Sequence, residues 1–600
     1  MRLPLRTIIG RLVIIFIMIF ILKPMPQGLA QEAKAQPNNN KTRRVNIPYF
    51  TGNVSWVQSA IFWFGRDQLT LPGSNYADVR VAYTSEGLRI FVTIVDYYLW
   101  YQENASLADD LTQYDAVAVY LDTNHDLANV PKSDDYWFLL GSRWWEDMSN
   151  YMRQAHGNGS SWNTGWTPSF GWIGDSYMQW DCNPGPNYNG DCGGNSIGDF
   201  GWMADFTIPW QTLGLSGPPS GGSLWGLGVK LYDRDDNPPV GYVAPEYWPE
   251  TFNENQPSTW AELHFGNAQY QPLPAVQEGT TMIRAASPQD NTVEDAWMGG
   301  GGWCNGGQFG SGNTNHGDDA DLFVGSEIIP VHFPCYNKSF LRFSLASIPQ
   351  GKVIISATLT LHHWGNAEPS LAQPSWVHLF MISDPWDEMT ITWNNAPLAQ
   401  ENVSASWIYP LPNFQGWPGN PYNWDATQAV AEAYTEGHPA NMAIYESDTE
   451  QHSSKYLTGS ETGDWDAVGR PMLTVVWGSP VGTIDKTASS TSVMSGDAIT
   501  YSLDIVGSGQ TINLTDYLPT GVSAPTSRSP GLIYTPHQLT WTGSPGPGLS
   551  VHLNYTVNAI ALSQTVLRNQ VVITQTNGMT DTAETWVYVD PIRLFLPCVH

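Results

Sequence analysis

Between residues 45 and 590 no apolar run goes far before a glycine, proline, asparagine or aspartate interrupts it. With 56 Gly and 43 Pro in 600 residues, the chain lacks the uninterrupted stretches that long helices and coiled coils need. What the interruptions leave are short β-branched and aromatic runs at 79–83, 88–95, 116–121, 224–232 and 260–265. Runs of that length bounded by turn residues read as strands. Residues 353–361 (VIISATLTL) make the point sharply, because Ala357, Leu359 and Leu361 alternate with Ser356, Thr358 and Thr360. That is the pattern of an antiparallel strand with one buried face. The fold class expected is all-β.

The length is too great for one core, and roughly 150 residues per unit suggests several. Composition shifts divide the chain into a leader at 1–30, a polar linker at 31–44, a strand-rich unit at 45–266, a Pro- and Gln-rich linker at 267–278, a second strand-rich unit at 279–478, a third at 479–590, and an apolar tail at 591–600. Each strand-rich unit is expected to be a β-sandwich. One short helix is predicted in the middle unit. Asp425 is a suitable N-cap with Gln428 three residues on, Ala426, Val430, Ala433 and Tyr434 line one face, and Gly437 is placed to end it.

The leader has Arg2, Arg6 and Arg11 ahead of an 11-residue apolar stretch, 12–22, and small residues at 28–30. This is the plan of a secretory signal, and the apolar stretch is shorter than the roughly 20 residues a spanning helix needs. Export is the expectation, which makes disulfides permissible: Cys182 with Cys192, Cys304 with Cys335, and Cys598 left free. Removal of the leader takes away four cations and no acid, moving the formal charge from −30 to −34. A chain so acidic is repelled by phosphate backbones and anionic lipid, so nucleic acid and membrane surfaces are excluded as partners.

Tryptophan is the unusual residue. Of 28, fifteen lie in the first unit, eleven in the middle one and two in the third. An indole face suits the C–H face of a sugar ring, with amide and carboxylate side chains serving the hydroxyls. The Trp in loop-like surroundings are Trp100, beside Tyr101, then Trp144, Trp145, Trp162, Trp166, Trp172 and Trp180. Separately, Asp122, Asn124 and Asp126 present three oxygen-bearing side chains just beyond a strand. This run is either an Asx-rich turn or part of a calcium site. Asp233, Asp235 and Asp236 are a weaker candidate for the same chemistry.

Blocks in the first unit, VRVAYTSEGLRIFVTIVD (79–96), DAVAVYLDTNHD (115–126), ADFTIPWQTLG (204–214), WGLGVKLYDRD (225–235) and STWAELHFG (258–266), resemble carbohydrate-binding module family nine. The resemblance implies a β-sandwich that holds a sugar chain end between two Trp, with calcium alongside. It places Trp260 as one stacking ring, with Tyr114 or Trp100 standing in for the other and Trp137 nearby. The chain departs from the family at Ala118, where an acid is usual, and at Leu139, in place of a binding Arg. In the middle unit SFLRFSLASIPQGKVIISATLTL (339–361), PWDEMTITWNNAP (385–397), WDATQAVAEAYTEG (424–437) and RPMLTVVW (470–477) resemble the DNRLRE domain, a carbohydrate-binding type of sandwich. DKTASSTSVMSGDAITYSLDIVGSG (485–509) and LTDYLPTGV (514–522) resemble the Ig-like conserved-repeat domains of bacterial surface proteins, which act as stalks.

The function expected is therefore secreted, non-catalytic binding of an extracellular polysaccharide, with calcium as the cofactor. Two other readings stay open. One is a polysaccharide lyase or glycoside hydrolase with its active site in the middle unit; the other is a structural surface adhesin. No GxSxG, HExxH, P-loop or GxGxxG motif is present. Asp387-Glu388 is the carboxylate pair that would tempt a hydrolase reading, and turn residues are expected there instead. Arg342, Lys338 and Lys352 form the one modest basic grouping of the middle unit.

Overall fold

The alternation in 353–361 is realised in a strand Val353–Asn366, in which Ala357, Leu359 and Leu361 are buried while Ser356 and Thr358 stay half-exposed. The same device builds almost everything else. The computed structural model describes residues 41–590 apart from 69–73, 97–98, 144–145, 181–200, 235–244, 301–310, 330–331, 367–368, 415, 449–453 and 562–563. The leader, the C-terminal tail, Cys182, Cys192, Cys304, Cys598 and the side chain of Cys335 lie outside the described residues, as do Trp144, Trp145 and the side chain of Trp180.

In the first unit one antiparallel sheet runs Ile173–Trp180, Gly201–Pro209, Gly87–Val95, Ser74–Thr84 and Ala60–Gln68. The opposing sheet runs Ala261–Phe265, Leu224–Tyr232, Ala116–Asp122, Asp135–Gly141 and Met152–Gly157. The core between them holds Trp202, Trp210, Trp225 and Trp248 with many aliphatic residues. The middle unit stacks Val293–Gly300, His332–Phe343, Ala440–Glu446, Ser375–Met381 and Glu401–Ile408 against a sheet of Asp321–Ile329, Lys455–Thr458, Val353–Asn366, Met472–Pro480 and Ala275–Ile283. The third unit pairs Thr483–Ala488, Ala498–Val506 and Ser550–Asn558 in one sheet, and Ile512–Tyr517, Thr565–Gln575 and Thr580–Val589 in the other, around a separate aliphatic core.

Both linkers prove shorter than their composition suggests. Arg44–Ile47 is a strand pairing in parallel with Ala261–Phe265, and the Arg43 guanidinium is held by Glu250, Asp384 and the Leu398 carbonyl. Ala275–Ile283 is likewise a strand, and its polar residues sit at a sheet edge where one face remains wet. The helix, Thr427–Glu436, is the one α-helix among the described residues. The N-cap position is Ala426 rather than Asp425, which lies one residue earlier and accepts from the Thr427 N–H (2.9 Å), and Gly437, at φ +79°, ends the helix. Gln428 does not close a capping box; it donates to Glu401 and Glu432.

The first two units share a buried seam. Ile61, Trp63, Tyr76 and Val95 of the first pack with Tyr336, Phe340, Phe380, Trp386, Trp393 and Tyr445 of the second. Burying each such ring is worth about 1.5–3 kcal/mol. Arg80 is fully enclosed there and donates to the Ser447 carbonyl (2.7 Å), Thr93 Oγ1 (2.6 Å), Ser326 Oγ (2.7 Å) and the Asp448 carbonyl (3.1 Å). Asp78, equally buried, accepts from the Tyr76 and Tyr445 hydroxyls.

Candidate functional site

Trp260 immediately precedes the strand Ala261–Phe265, and its ring turns inward. It is 2% exposed, enclosed by Tyr120, Phe252 and Trp162. Its Nε1 donates to the Asn253 carbonyl (2.9 Å), and Trp162 Nε1 donates to the next carbonyl, Glu254 (3.1 Å). The two indoles are parallel within 2° at 6.4 Å. A sugar held between two rings needs about 3.5–4 Å of contact distance on each side, so this pair as it stands is too close to admit one. The open indole face expected at Trp260 is therefore not present.

Trp100 is also buried, at 8%. It and the half-buried Tyr114 are brought together by the Arg234 guanidinium, 5.5 and 5.0 Å from their ring centres. Among the described residues no ring contact joins either of them to Trp260. Trp137 is half-buried and meets Tyr120 edge-on. Trp172 is enclosed, while Trp162 and Trp166 keep partial exposure. These rings became core because strand alternation and short loops leave them no other dry surface to cover.

The acidic run after Ala116–Asp122 behaves in both expected ways at once. Asp122 Oδ1 accepts from the Asn124 and His125 N–H groups, and Asn124 Oδ1 accepts from Asp126 N–H, which are Asx turns. Yet Asp122, Asp126 and Asp134 each bring one carboxylate oxygen within 4.8 Å of the others. Asp122 is wholly buried, and its Oδ2 has no hydrogen-bond partner. Burial raises its pKa, and burial together with its acidic neighbours raises that of Asp135 to about 7. Lys132 occupies one side by pairing with Asp126 (2.6 Å). Three carboxylate oxygens this close could serve a hard cation, with Asp134 standing where Asn124 was expected.

Asp96, Asp115 and Asp233 form a second convergence, all three buried, with oxygens within the same 4.8 Å limit. The sequence pointed to Asp233 with Asp235 and Asp236, and those two lie outside the described residues. Asp96 and Asp115 went unnoticed, although each sits at a strand end. Asp96 follows Gly87–Val95, Asp115 precedes Ala116–Asp122, and Asp233 follows Leu224–Tyr232.

A continuous run of rings, exposed at one end, lies on the middle unit. Phe323, Tyr456 and Trp364 occupy the outward positions of three adjacent strands, where their neighbours Leu322, Val324, Leu457 and His363 point inward. Ring centres follow at 4.9 Å (Phe323 to Tyr456) and 5.4 Å (Tyr456 to Trp364). The run continues onto loops, from Trp364 to Trp417 at 5.3 Å and from Trp417 to Trp465 at 5.1 Å, with Phe414 edge-on to Trp417 at 5.4 Å. Trp465 is 69% exposed, Phe414 57% and Trp417 42%. At the other end Trp297 packs on Phe323, and its Nε1 donates to Asp319 Oδ2 (2.8 Å).

Two glycines permit this arrangement. Gly419, at φ +87°, passes so close to the strand Val353–Asn366 that a Cβ would meet the His363 carbonyl at 2.5 Å. A Cβ on Gly463 would touch the Trp465 indole at 2.8 Å. Trp417 and Trp465 lie among Gly, Pro, Asn and Asp (QGWPGN, TGDWDAVG), the same signal that singled out first-unit tryptophans. The cross-strand alignment of the other rings had no sequence signature.

The remaining expectations of the middle unit resolve structurally. Glu388 lies in a turn, as expected, and its Oε1 accepts from Asp295 N–H (2.8 Å). Asp295, 1% exposed, also bonds to Ser460 and to the carboxyl of Glu461. Burial pushes Asp295 to about 7, and burial with the Asp295 charge pushes Glu461 to about 9. The enclosure of Asp295 keeps it from reaching a polymer. The expected basic grouping dissolves: Lys338 is buried over Trp393 and Trp63, Arg342 pairs with Glu294, and Lys352 pairs with Glu278.

No curated protein matches this chain. A carbohydrate-binding module family 9 domain from Caldicellulosiruptor kristjanssonii, solved with cellotriose, is similar at 14% identity, covering 39% of this chain and all of that one, with a TM-score of 0.26. A putative carbohydrate-binding protein from Bacteroides uniformis is similar at 10% identity, covering 37% and 99%, with a TM-score of 0.27. Scores this low do not establish a common fold. Residues 303–467, which contain Phe323, Trp364, Phe414, Trp417, Tyr456 and Trp465, match the model of carbohydrate-binding module family 96.

Proposed function

We propose that this protein is an exported, non-catalytic binder of an extracellular polysaccharide, and that the aromatic run of the middle unit is its main contact surface. The observation that carries the reading is the continuous line of rings from Phe323 to Trp465, whose last members stand open to solvent. A soluble protein rarely leaves large apolar rings side by side in water without a partner for them. A run of rings, tilted 42–81° to their neighbours, offers several successive contacts and so suits a chain of sugars better than a single ring. Asp319 and Asp321 lie beside the run and offer acceptors for hydroxyls. The segment that matches a carbohydrate-binding family contains every ring of the run.

The charge balance bears on the ligand. At −34 once the leader is removed, and with no basic patch among the described residues of the middle unit, the chain favours a neutral polysaccharide or one bridged by divalent cations. Calcium at Asp122, Asp126 and Asp134 belongs to the same proposal, as a support for the loops of the first unit. The test is retention of the full chain on insoluble neutral and acidic glycans, with and without chelator. Retention on a glycan supports the reading, and passage through all of them would leave only a structural role.

A further inference from the structure

A groove of about 440 Å³ opens where the first two units meet, on a part of the molecule distinct from the exposed aromatic run. Its walls come from both units: Asn46, Tyr49 and Gln58 from the first, and Trp376, Asn402 and Ser404 from the second. In a chain carrying 56 acidic residues, no Asp, Glu, Lys or Arg lines it. His378, also in the lining, is held neutral: its Nε2 bonds the Ser59 carbonyl at 2.9 Å, and burial lowers its pKa to about 4. The groove is therefore uncharged throughout, which is unfavourable for an ionic ligand and suitable for a neutral polar one.

The polar groups identify the ligand further. Asn46 is 4% exposed, and both hydrogens of its amide are committed, to Glu401 Oε1 (2.8 Å) and the Asn402 carbonyl (2.8 Å). This fixes the amide so that Oδ1 is the free end, and Oδ1 has no hydrogen-bond partner. Ser404 Oγ is buried and has none either. Asn402 completes the frame by exchanging hydrogen bonds with the Asn46 backbone at 2.8 and 2.9 Å, tying one unit to the other beneath the groove. An acceptor that needs a donor and a hydroxyl that can do either, both on residues of this lining, match the hydroxyls of a sugar, each of which donates and accepts.

Aromatic plates flank these groups. Tyr49 is 45% exposed, and Trp376 is half-exposed and backed by Trp407 at 5.2 Å. The volume lies within the roughly 300–1,000 Å³ of small-molecule clefts, room for a short oligosaccharide. We infer that this junction groove is a second glycan site, specific for an uncharged oligosaccharide, formed only when the two leading units are docked. The inference rests on the reading of the protein as a sugar binder, but not on the aromatic run.

The test is calorimetric titration of the full chain carrying Trp417→Ala and Trp465→Ala, which silences the aromatic run. The probes are cellohexaose, xylohexaose, mannohexaose and laminarihexaose, with hexagalacturonate as the charged control. At least one neutral hexasaccharide is expected to bind this background. Adding Trp376→Ala, or the milder Ser404→Ala, is expected to weaken that binding at least fivefold with an unchanged melting temperature, and hexagalacturonate is expected not to bind. Failure of every neutral probe, a change under fivefold in both added variants, or preferential binding of hexagalacturonate overturns the site. Should Trp417→Ala and Trp465→Ala leave the parent affinity intact, the aromatic-run reading falls while the junction site is still judged by Trp376 and Ser404.

Discussion

Replacing Arg80 by Ala should unfold the two leading units together and at lower temperature. The guanidinium makes four hydrogen bonds in a site without solvent, three of them reaching residues of the middle unit: Ser447, Ser326 and Asp448. Removing it leaves two carbonyls and two hydroxyls short of a donor, and takes a nearby cation from the buried Asp78, whose pKa burial already raises. A buried charged group lost from such a network costs about 3–5 kcal/mol. For two units of roughly 430 residues unfolding as one, at about 2.1 cal/mol/K per residue, that is about 3–6 °C. Differential scanning calorimetry of the full chain would read it, with amide exchange locating the loss. The expected result is one lowered transition in which strands Ser74–Thr84 and Ala440–Glu446 lose protection in parallel. A loss under about 1 kcal/mol, or deprotection confined to the first unit, would show that the seam does not couple the two, and the junction groove would lose its rigid walls.

Three further outcomes are expected. Calcium should raise the melting temperature of the parent, and Asp122→Asn should abolish the rise, because Asp122 Oδ2 is the buried oxygen without a partner; an equal rise in the variant places any cation elsewhere. Glu461 has a folded-state pKa raised to about 9, so the fold binds a proton that the unfolded chain releases above the ordinary carboxylate range. Stability of the middle unit should therefore fall as pH rises from about 5 towards 9, and Glu461→Gln should flatten that slope in pH-dependent melting. Gly463→Ala should displace the Trp465 indole, since a Cβ would stand 2.8 Å from it, and this should weaken glycan binding with little change in global stability.

The fold was legible because alternation decides burial: 353–361 dictated its own face, and Asp425 and Gly437 bounded the helix. The strand at Ala275–Ile283 was not legible, since an edge strand made largely of exposed polar residues carries no alternation signal. At the candidate site the acidic run at Asp122 announced itself locally, whereas Asp134 reaches it by the pairing of neighbouring strands. Trp260 illustrates the limit most plainly. Whether an indole is platform or core depends on what packs over it, and Trp162 and Tyr120 come from far along the chain. The run from Phe323 to Trp364 depends in the same way on the register of three strands.

The most direct measurement compares the affinity of the parent with that of Trp417→Ala and Trp465→Ala for a polysaccharide retained in the glycan panel. Both rings are largely exposed, so folding should be preserved, while a central aromatic contact is worth about 2 kcal/mol or more, roughly thirtyfold in affinity. The account predicts a loss of at least tenfold for each variant at an unchanged melting temperature. Affinities equal to the parent in both would contradict it.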